Sequence, residues 1–61
     1  MRLKELRQAR GFTQKTLADK LGMSLTYLCN LENGKANVSL STLRRLAKAL
    51  RVKVVDLVAD E

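Results

Sequence analysis

The chain has 61 residues, enough for one small domain spanning residues 1–61, and twelve Lys and Arg against six Asp and Glu give it a net charge of +6. With one cysteine and no histidine, an intramolecular disulfide is excluded and no metal-ligand cluster is present, so we expect no metal, no other cofactor, no small-molecule substrate and no enzyme. No apolar run approaches the length of about 18 residues needed to span a membrane, and no signal peptide follows Met1, so we expect a cytoplasmic protein with no membrane partner.

The balance of charge favours a nucleic-acid partner. Six acidic residues, less the three at Asp56, Asp60 and Glu61, leave three in the first 55 residues, which hold all twelve basic groups. The pI is about 10.1, a basic balance typical of nucleic-acid-binding domains. A basic surface that only aids solubility is the alternative. The acidic end is expected to lie away from the nucleic acid.

The first predicted helix occupies residues 2 to 10. Leu3 and Leu6 are spaced i, i+3, and either Ala9 or Arg10 continues their side of the helix among basic residues. Gly11 ends the helix. The sequence therefore predicts an amphipathic helix that packs through one stripe.

Every later helix start carries the spacing of a hydrophobic staple, in which the residue before the cap packs on the fourth helical residue. The pairs are Phe12 and Leu17, Met23 and Leu28, Val38 and Leu43, and Val52 and Leu57. They predict helices that begin at Gln14, Leu25, Leu40 and Val54. With the first helix, these make an all-α fold, a compact bundle of five short helices.

The stretch between Thr13 and Lys35 contains two of these helices joined by one tight turn. Thr13 can cap the first helix, Gly22 can end it in a left-handed conformation, and Ser24 can cap the second helix. The second helix ends at Asn33 and Gly34. Two helices joined by so short a turn cross steeply, so the second projects from the body of the domain.

The second of these helices has two unlike sides. At about 100° per residue, Leu28, Leu31 and Glu32 share the side that packs. The outward side consists of Leu25, Thr26, Cys29, Asn30 and Asn33. It carries no charge, which is unusual for a solvated surface and suits side chains that meet base edges in a major groove while the flanks bind phosphates.

This stretch resembles the helix-turn-helix of the phage repressor and Cro class, the xenobiotic-response-element family. The matching residues are Gln14, Leu17-Ala18, Gly22-Met23-Ser24 and Leu31-Glu32-Asn33-Gly34-Lys35. The resemblance implies a lambda-repressor-like bundle that binds double-stranded DNA sequence-specifically and regulates transcription as a repressor-like homodimer.

The resemblance also implies roles for individual residues. Base reading would fall to Leu25, Thr26 and Asn30, and phosphate binding to Gln14, Ser24, Asn33 and Lys35. It pairs Glu32 with Arg7 as a structural ion pair.

Several of these residues have a second reading. Gln14 also suits a helix as an ordinary helix former, and Leu25 could touch a thymine methyl or cover the turn. Tyr27, on the flank, could place its hydroxyl on a phosphate or pack its ring. Cys29 is either a redox switch or a small residue that permits close approach of DNA.

The last two helices follow a loop. The fourth helix carries an apolar stripe of Leu40, Leu43, Leu46, Ala47 and Leu50 and should end near Leu50. The fifth runs from Val54 to Val58, and the chain then frays. Arg51 stands where the family usually has Gly, and Lys53 where it favours Ser; Asp56 can offset the missing cap at Lys53.

The valines of the last helix indicate a weak homodimer. Val54, Val55 and Val58 are more apolar positions than so short a helix can easily bury. Lys4, Lys20, Arg45 and Lys48 are read as solvated residues. Alternatives to the regulator are an antitoxin or a restriction-modification controller of the same fold, or a protein-interaction adaptor that does not read DNA.

Overall fold

The structure, a computed structural model, describes residues 1–59, and within this range the chain forms five α-helices and no strand. The helices are α1 (Leu3–Ala9), α2 (Gln14–Leu21), α3 (Leu25–Glu32), α4 (Leu40–Leu50) and α5 (Val54–Val58). The all-α prediction is confirmed, and the four later helices begin at the predicted residues. The predicted fraying and the acidic end fall partly on Asp60 and Glu61, which lie outside the described residues.

Hydroxyl caps fix the starts of three helices. Thr13, Ser24 and Ser39 each accept a hydrogen bond from the backbone N–H three residues later, at 3.0, 3.0 and 3.1 Å. These bonds satisfy N–H groups that a helix start otherwise leaves without an acceptor. At α5 the backbone N–H of Lys53 donates to Asp56 Oδ2 at 3.0 Å, so the expected compensation by Asp56 is present.

Each of the first four helices is followed by a residue in the left-handed backbone conformation: Gly11, Gly22, Gly34 and Arg51. At Gly22 the following N–H, that of Met23, donates to the Ala18 carbonyl at 3.0 Å, the long bond of a Schellman motif. Val52 repeats this bond to the Ala47 carbonyl at 3.0 Å. Arg51 therefore adopts the same turn at φ 57°, although its Cβ crowds the backbone there.

Two arginines tie helix ends together. Arg10, on α1, donates from Nε to the Leu50 carbonyl at 2.7 Å and from Nη2 to the Arg51 carbonyl at 3.3 Å. Arg45, on α4, donates from Nη2 to the Leu21 carbonyl at the end of α2. The last carbonyls of a helix lack partners within the helix, so both arginines replace a missing bond. Arg45 thus does more than cover a solvated face.

The core is built almost entirely from leucine. Its buried members are Leu3, Leu17, Ala18, Leu21, Leu28, Leu31, Leu46, Leu50 and Leu57. The residue before each cap, Phe12, Met23, Val38 and Val52, packs against this core, as the staple spacing predicts. The predicted stripe of α4 is wrong at Leu40, which is 54% exposed. The buried residues of α4 lie in its second half, so its first turn extends past the core.

Candidate nucleic-acid interface

The helix-turn-helix unit consists of α2, the turn at Gly22 and α3. The two helices pack against each other, and α3 also contacts α1. Leu28 and Leu31 are buried and hold α3 to the core. Because both leucines lie on one side, the other side of α3 is fixed in its outward direction.

The outward side of α3 carries short polar and small side chains. Leu25, Thr26 and Asn33 are exposed and Asn30 is half-buried. Cys29, which was expected on this side, is half-buried with its thiol against Gln14 of α2, because α2 crosses α3 at that position. None of them is charged. The helix has eight residues, and an α-helix with its side chains is about 10–12 Å in diameter, which fits the roughly 12 Å width of the major groove of B-DNA. The three residues expected to read bases, Leu25, Thr26 and Asn30, lie together on this side.

Arg7 and Glu32 form an ion pair beneath the unit. Arg7 Nε donates to Glu32 Oε2 at 2.6 Å and Nη2 donates to Oε1 at 3.3 Å. Their side chains are only 7% and 2% exposed. A third donor of the guanidinium, Nη1, reaches the Phe12 carbonyl at 2.7 Å. The pair therefore joins α1, the start of α2 and the end of α3.

The ion pair continues into a chain of hydrogen bonds through Gln14. Gln14 Nε2 donates to Glu32 Oε1 at 3.0 Å, and the Cys29 thiol donates to Gln14 Oε1 at 3.2 Å. Both ends of the amide are therefore held before any ligand arrives. A carboxamide nitrogen has two hydrogens, so one remains for a phosphate. Gln14 is also the first residue of α2, where free backbone N–H groups favour an anion.

The other expected phosphate ligands lie around α3. Ser24 uses its hydroxyl oxygen as the cap of α3. The ring of Tyr27 packs against the core, and its hydroxyl donates to the Asn37 carbonyl at 3.2 Å. Asn33 is exposed at the end of α3. The Lys35 backbone N–H donates to the Asn30 carbonyl at 2.8 Å, which places its exposed side chain directly after α3.

The sequence did not reveal the contact between Cys29 and Gln14. Cys29 and Glu32 are three residues apart, about 60° around a helix, so one amide can reach both of them. That spacing is the only signal in the sequence. The position of Gln14 opposite them depends on how α2 crosses α3.

At the surface of α1, the hydrogen bond from Arg2 and then its positive charge lower the pKa of the Glu5 carboxyl below its ordinary value. Among residues 1–59, no group of three or more His, Cys, Asp or Glu could hold a metal ion. None of the helices between residues 1 and 59 has the length and the apolar character that a membrane-spanning helix needs.

Residues 3–57 match the family model described as helix-turn-helix, so the chain belongs to this family. It is 42% identical over 60 residues to an immunity repressor protein of Bacillus phage phi105, and the match covers 98% of this chain and 42% of the relative. It is 46% identical over 56 residues to the HTH-type transcriptional regulator DdrOP3 of Deinococcus deserti, covering 92% and 43% of the two chains. These names agree with the phage repressor and Cro class.

A further relative is the antitoxin HipB of Escherichia coli O6:H1, 35% identical over 52 residues that cover 85% of this chain and 55% of the relative. No solved structure shows a significant match. The chain spans less than half of the length of the first two relatives, 42% and 43%.

Proposed function

We propose that the chain is the DNA-reading domain of a repressor-like transcriptional regulator and that it places α3 in the major groove of duplex DNA. The observation that carries the proposal is the outward side of α3, which is uncharged and rich in hydrogen-bonding groups. Thr26 and Asn30 offer donors and acceptors for base edges there. Donors for phosphates flank them at Gln14, Asn33 and Lys35.

The names of the relatives support this function. Two are called a repressor and a transcriptional regulator, and both match nearly the whole of this chain. We take residues 1–61 as one domain with binding and no catalysis. It would need no small-molecule substrate, and it would act in the cytoplasm, where its proposed DNA partner is found.

The proposal is tested by a gel shift of random-sequence duplex at several salt concentrations. A helix-turn-helix that binds phosphates should shift random DNA weakly, and the affinity should fall steeply with salt because each neutralised phosphate releases counterions. A protein-interaction adaptor on the same fold would bind the duplex only at low salt, through its net charge of +6, and would leave it unshifted at physiological salt.

Lys35→Ala should weaken binding by a similar factor on all sequences. Its ammonium group is exposed after α3 and has no partner among residues 1–59, so it is free to meet a phosphate. Loss of one contact should reduce the log–log slope of affinity against salt by roughly one unit per subunit. The matched control is Lys53→Ala, an exposed lysine at the start of α5, which should leave the slope unchanged. An unchanged slope for Lys35→Ala would remove this residue from the interface.

We also propose a weak homodimer that binds a two-fold symmetric operator. On α5, Val55 is 62% and Val58 43% exposed, while Val54 is half-buried. The α1 start lies beside this surface, because the Arg2 N–H donates to the Leu57 carbonyl at 2.8 Å. Pairing of two such surfaces would remove apolar area from water.

Val55→Asp should abolish the dimer and leave the fold intact, because this side chain contributes little to the core. A two-fold dimer would set its recognition helices about 34 Å apart, one turn of duplex. Sedimentation of the unchanged chain, free and on DNA, measures the state directly. A monomer in both conditions, with binding to one half-site, would contradict the dimer.

An antitoxin is the second candidate, and the similarity to HipB favours it. An antitoxin of this fold would also bind DNA, so DNA binding does not separate the two. The difference is a second protein bound to the same chain. A gene next to this one whose product is toxic alone and forms a complex with this chain would favour the antitoxin.

A further inference from the structure

A basic cleft lies between the C-terminal ends of α2 and α4. Its volume is about 340 Å³, and it is lined by Lys20, Leu21, Arg45, Lys48, Ala49 and Arg51. Four of these six residues are cationic and none is acidic. Leu21 and Ala49 form an apolar floor between the charges.

Among residues 1–59, the cations of the cleft form no ion pair with a carboxylate. The ion pairs of the described residues join Arg2 to Glu5, Arg7 to Glu32 and Lys15 to Asp19, and none of them involves the cleft. Lys20 and Lys48 each lie in the last turn of a helix, where the helix dipole favours a cation. This accounts for two of the four charges and leaves Arg45 and Arg51.

Arg45 is already held in place for a ligand. Its Nη2 donates to the Leu21 carbonyl at the edge of the cleft, and its Nε and Nη1 have no acceptor among residues 1–59. The guanidinium has five donors in a fixed plane, which suits a carboxylate. Its orientation therefore costs little further side-chain entropy on binding.

Arg51 is the only non-glycine residue with positive φ between residues 1 and 59. The other three helix ends of this kind use glycine, which adopts the conformation without strain. Only backbone atoms of Arg51 take part in the turn, so glycine would serve the fold better. Backbone strain of this sort is often kept at binding sites, and here it keeps a cation on the rim of the cleft.

We propose that this cleft binds an acidic peptide segment of a protein partner. Carboxylates would meet the cations on the rim, and an apolar side chain between them would cover Leu21 and Ala49. The DNA backbone has no aliphatic side chain that could cover Leu21 and Ala49. The cleft also lies at the end of α2 opposite Gln14, so the segment and the duplex would occupy separate surfaces. The inference does not depend on DNA binding.

The test is an NMR titration of the ¹⁵N-labelled chain with a blocked hexapeptide of alternating Glu and Leu. The amide signals of Lys20, Ala49 and Arg51 should move, and those of α3 should not. The same peptide with Gln in place of Glu should bind about tenfold more weakly. Added salt should lower the affinity of the chain for the acidic peptide. In a parallel titration, random duplex DNA should shift the amide signals of α3 and leave those of the cleft residues unchanged.

Arg51→Gly separates a binding role from a structural role. It should raise Tm by about 4–8 °C because the backbone strain at this residue is relieved. The affinity for the acidic peptide should nevertheless fall by about threefold. The double variant Lys20→Glu with Lys48→Glu should weaken it by about tenfold or more. Arg44→Glu, a reversal on α4 outside the cleft, is the matched control and should have little effect.

Three results would overturn the proposal. The first is a peptide that leaves the cleft signals unmoved or moves those of α3 instead. The second is duplex DNA that moves the cleft signals, which would assign the cations to the DNA interface. The third is an Arg51→Gly variant that gains stability and keeps its full affinity for the peptide.

Discussion

Replacing Arg7 by Met, or Glu32 by Leu, should each lower the free energy of unfolding by about 3–5 kcal/mol, because either change leaves a buried charge without its partner. Arg7→Met also leaves the Phe12 carbonyl without its donor. The double variant removes both charges, so its loss of unfolding free energy should be smaller than the sum of the losses of the two single variants. A domain of this size has about 5 kcal/mol of stability or little more, so the single variants are measured in a stabilising osmolyte such as sucrose.

The measurement is a double-mutant cycle on thermal unfolding. We expect a coupling of about 2 kcal/mol or more between the two positions. Lys15 and Asp19 provide the matched control, since their ion pair is 3.3 Å long with side chains 75% and 68% exposed. The same substitutions there should give a coupling of about 0.5 kcal/mol or less. Strict additivity at Arg7 and Glu32 would contradict a structural role for the pair.

Asn30→Ala should lose about 1–3 kcal/mol of binding free energy on the preferred site and little on random DNA. Its carboxamide offers a donor and an acceptor in one plane, the pair that matches N7 and the amino group of adenine. Thr26 is about 40° away around the helix and contributes a hydroxyl and a methyl. The variant should also lose its preference for a particular base pair at one position of each half-site.

Asn33 is the matched control for Asn30, because it is the same residue type at the end of the same helix. Asn33→Ala should weaken preferred and random sites by a similar factor, as expected for a phosphate contact. The comparison uses competition between the preferred site and single-base variants. If Asn30→Ala discriminates among these sites as well as the unchanged chain does, sequence preference arises elsewhere, for example from DNA shape.

The helix boundaries could be predicted because they depend on local chemistry. Thr13, Ser24 and Ser39 are caps whose hydroxyls bond only three residues away, and each is preceded by an apolar residue with a partner at fixed spacing. The sidedness of α3 also follows from its period. Leu28 and Leu31 are buried and Thr26 is exposed, as about 100° per residue requires.

The remaining features depend on how the helices cross, which no local pattern encodes. Leu40 fits the apolar stripe of α4 and is nevertheless exposed, because the period of a helix does not show where its neighbours end. Arg10 and Arg45 look like surface cations, but each reaches carbonyls of another helix. The bond from Cys29 to Gln14 arises in the same way. Each of these contacts joins residues more than ten positions apart.

The most direct test of the central claim is selection of bound sites from a random pool of duplex DNA. The account predicts that one sequence motif is enriched, with a specific affinity at least about 10³-fold above random DNA. It also predicts that a variant with Thr26→Ala and Asn30→Ala shifts random DNA but enriches no motif. No enrichment by the unchanged chain, or the same motif enriched by the variant, would contradict reading of bases by the outward side of α3.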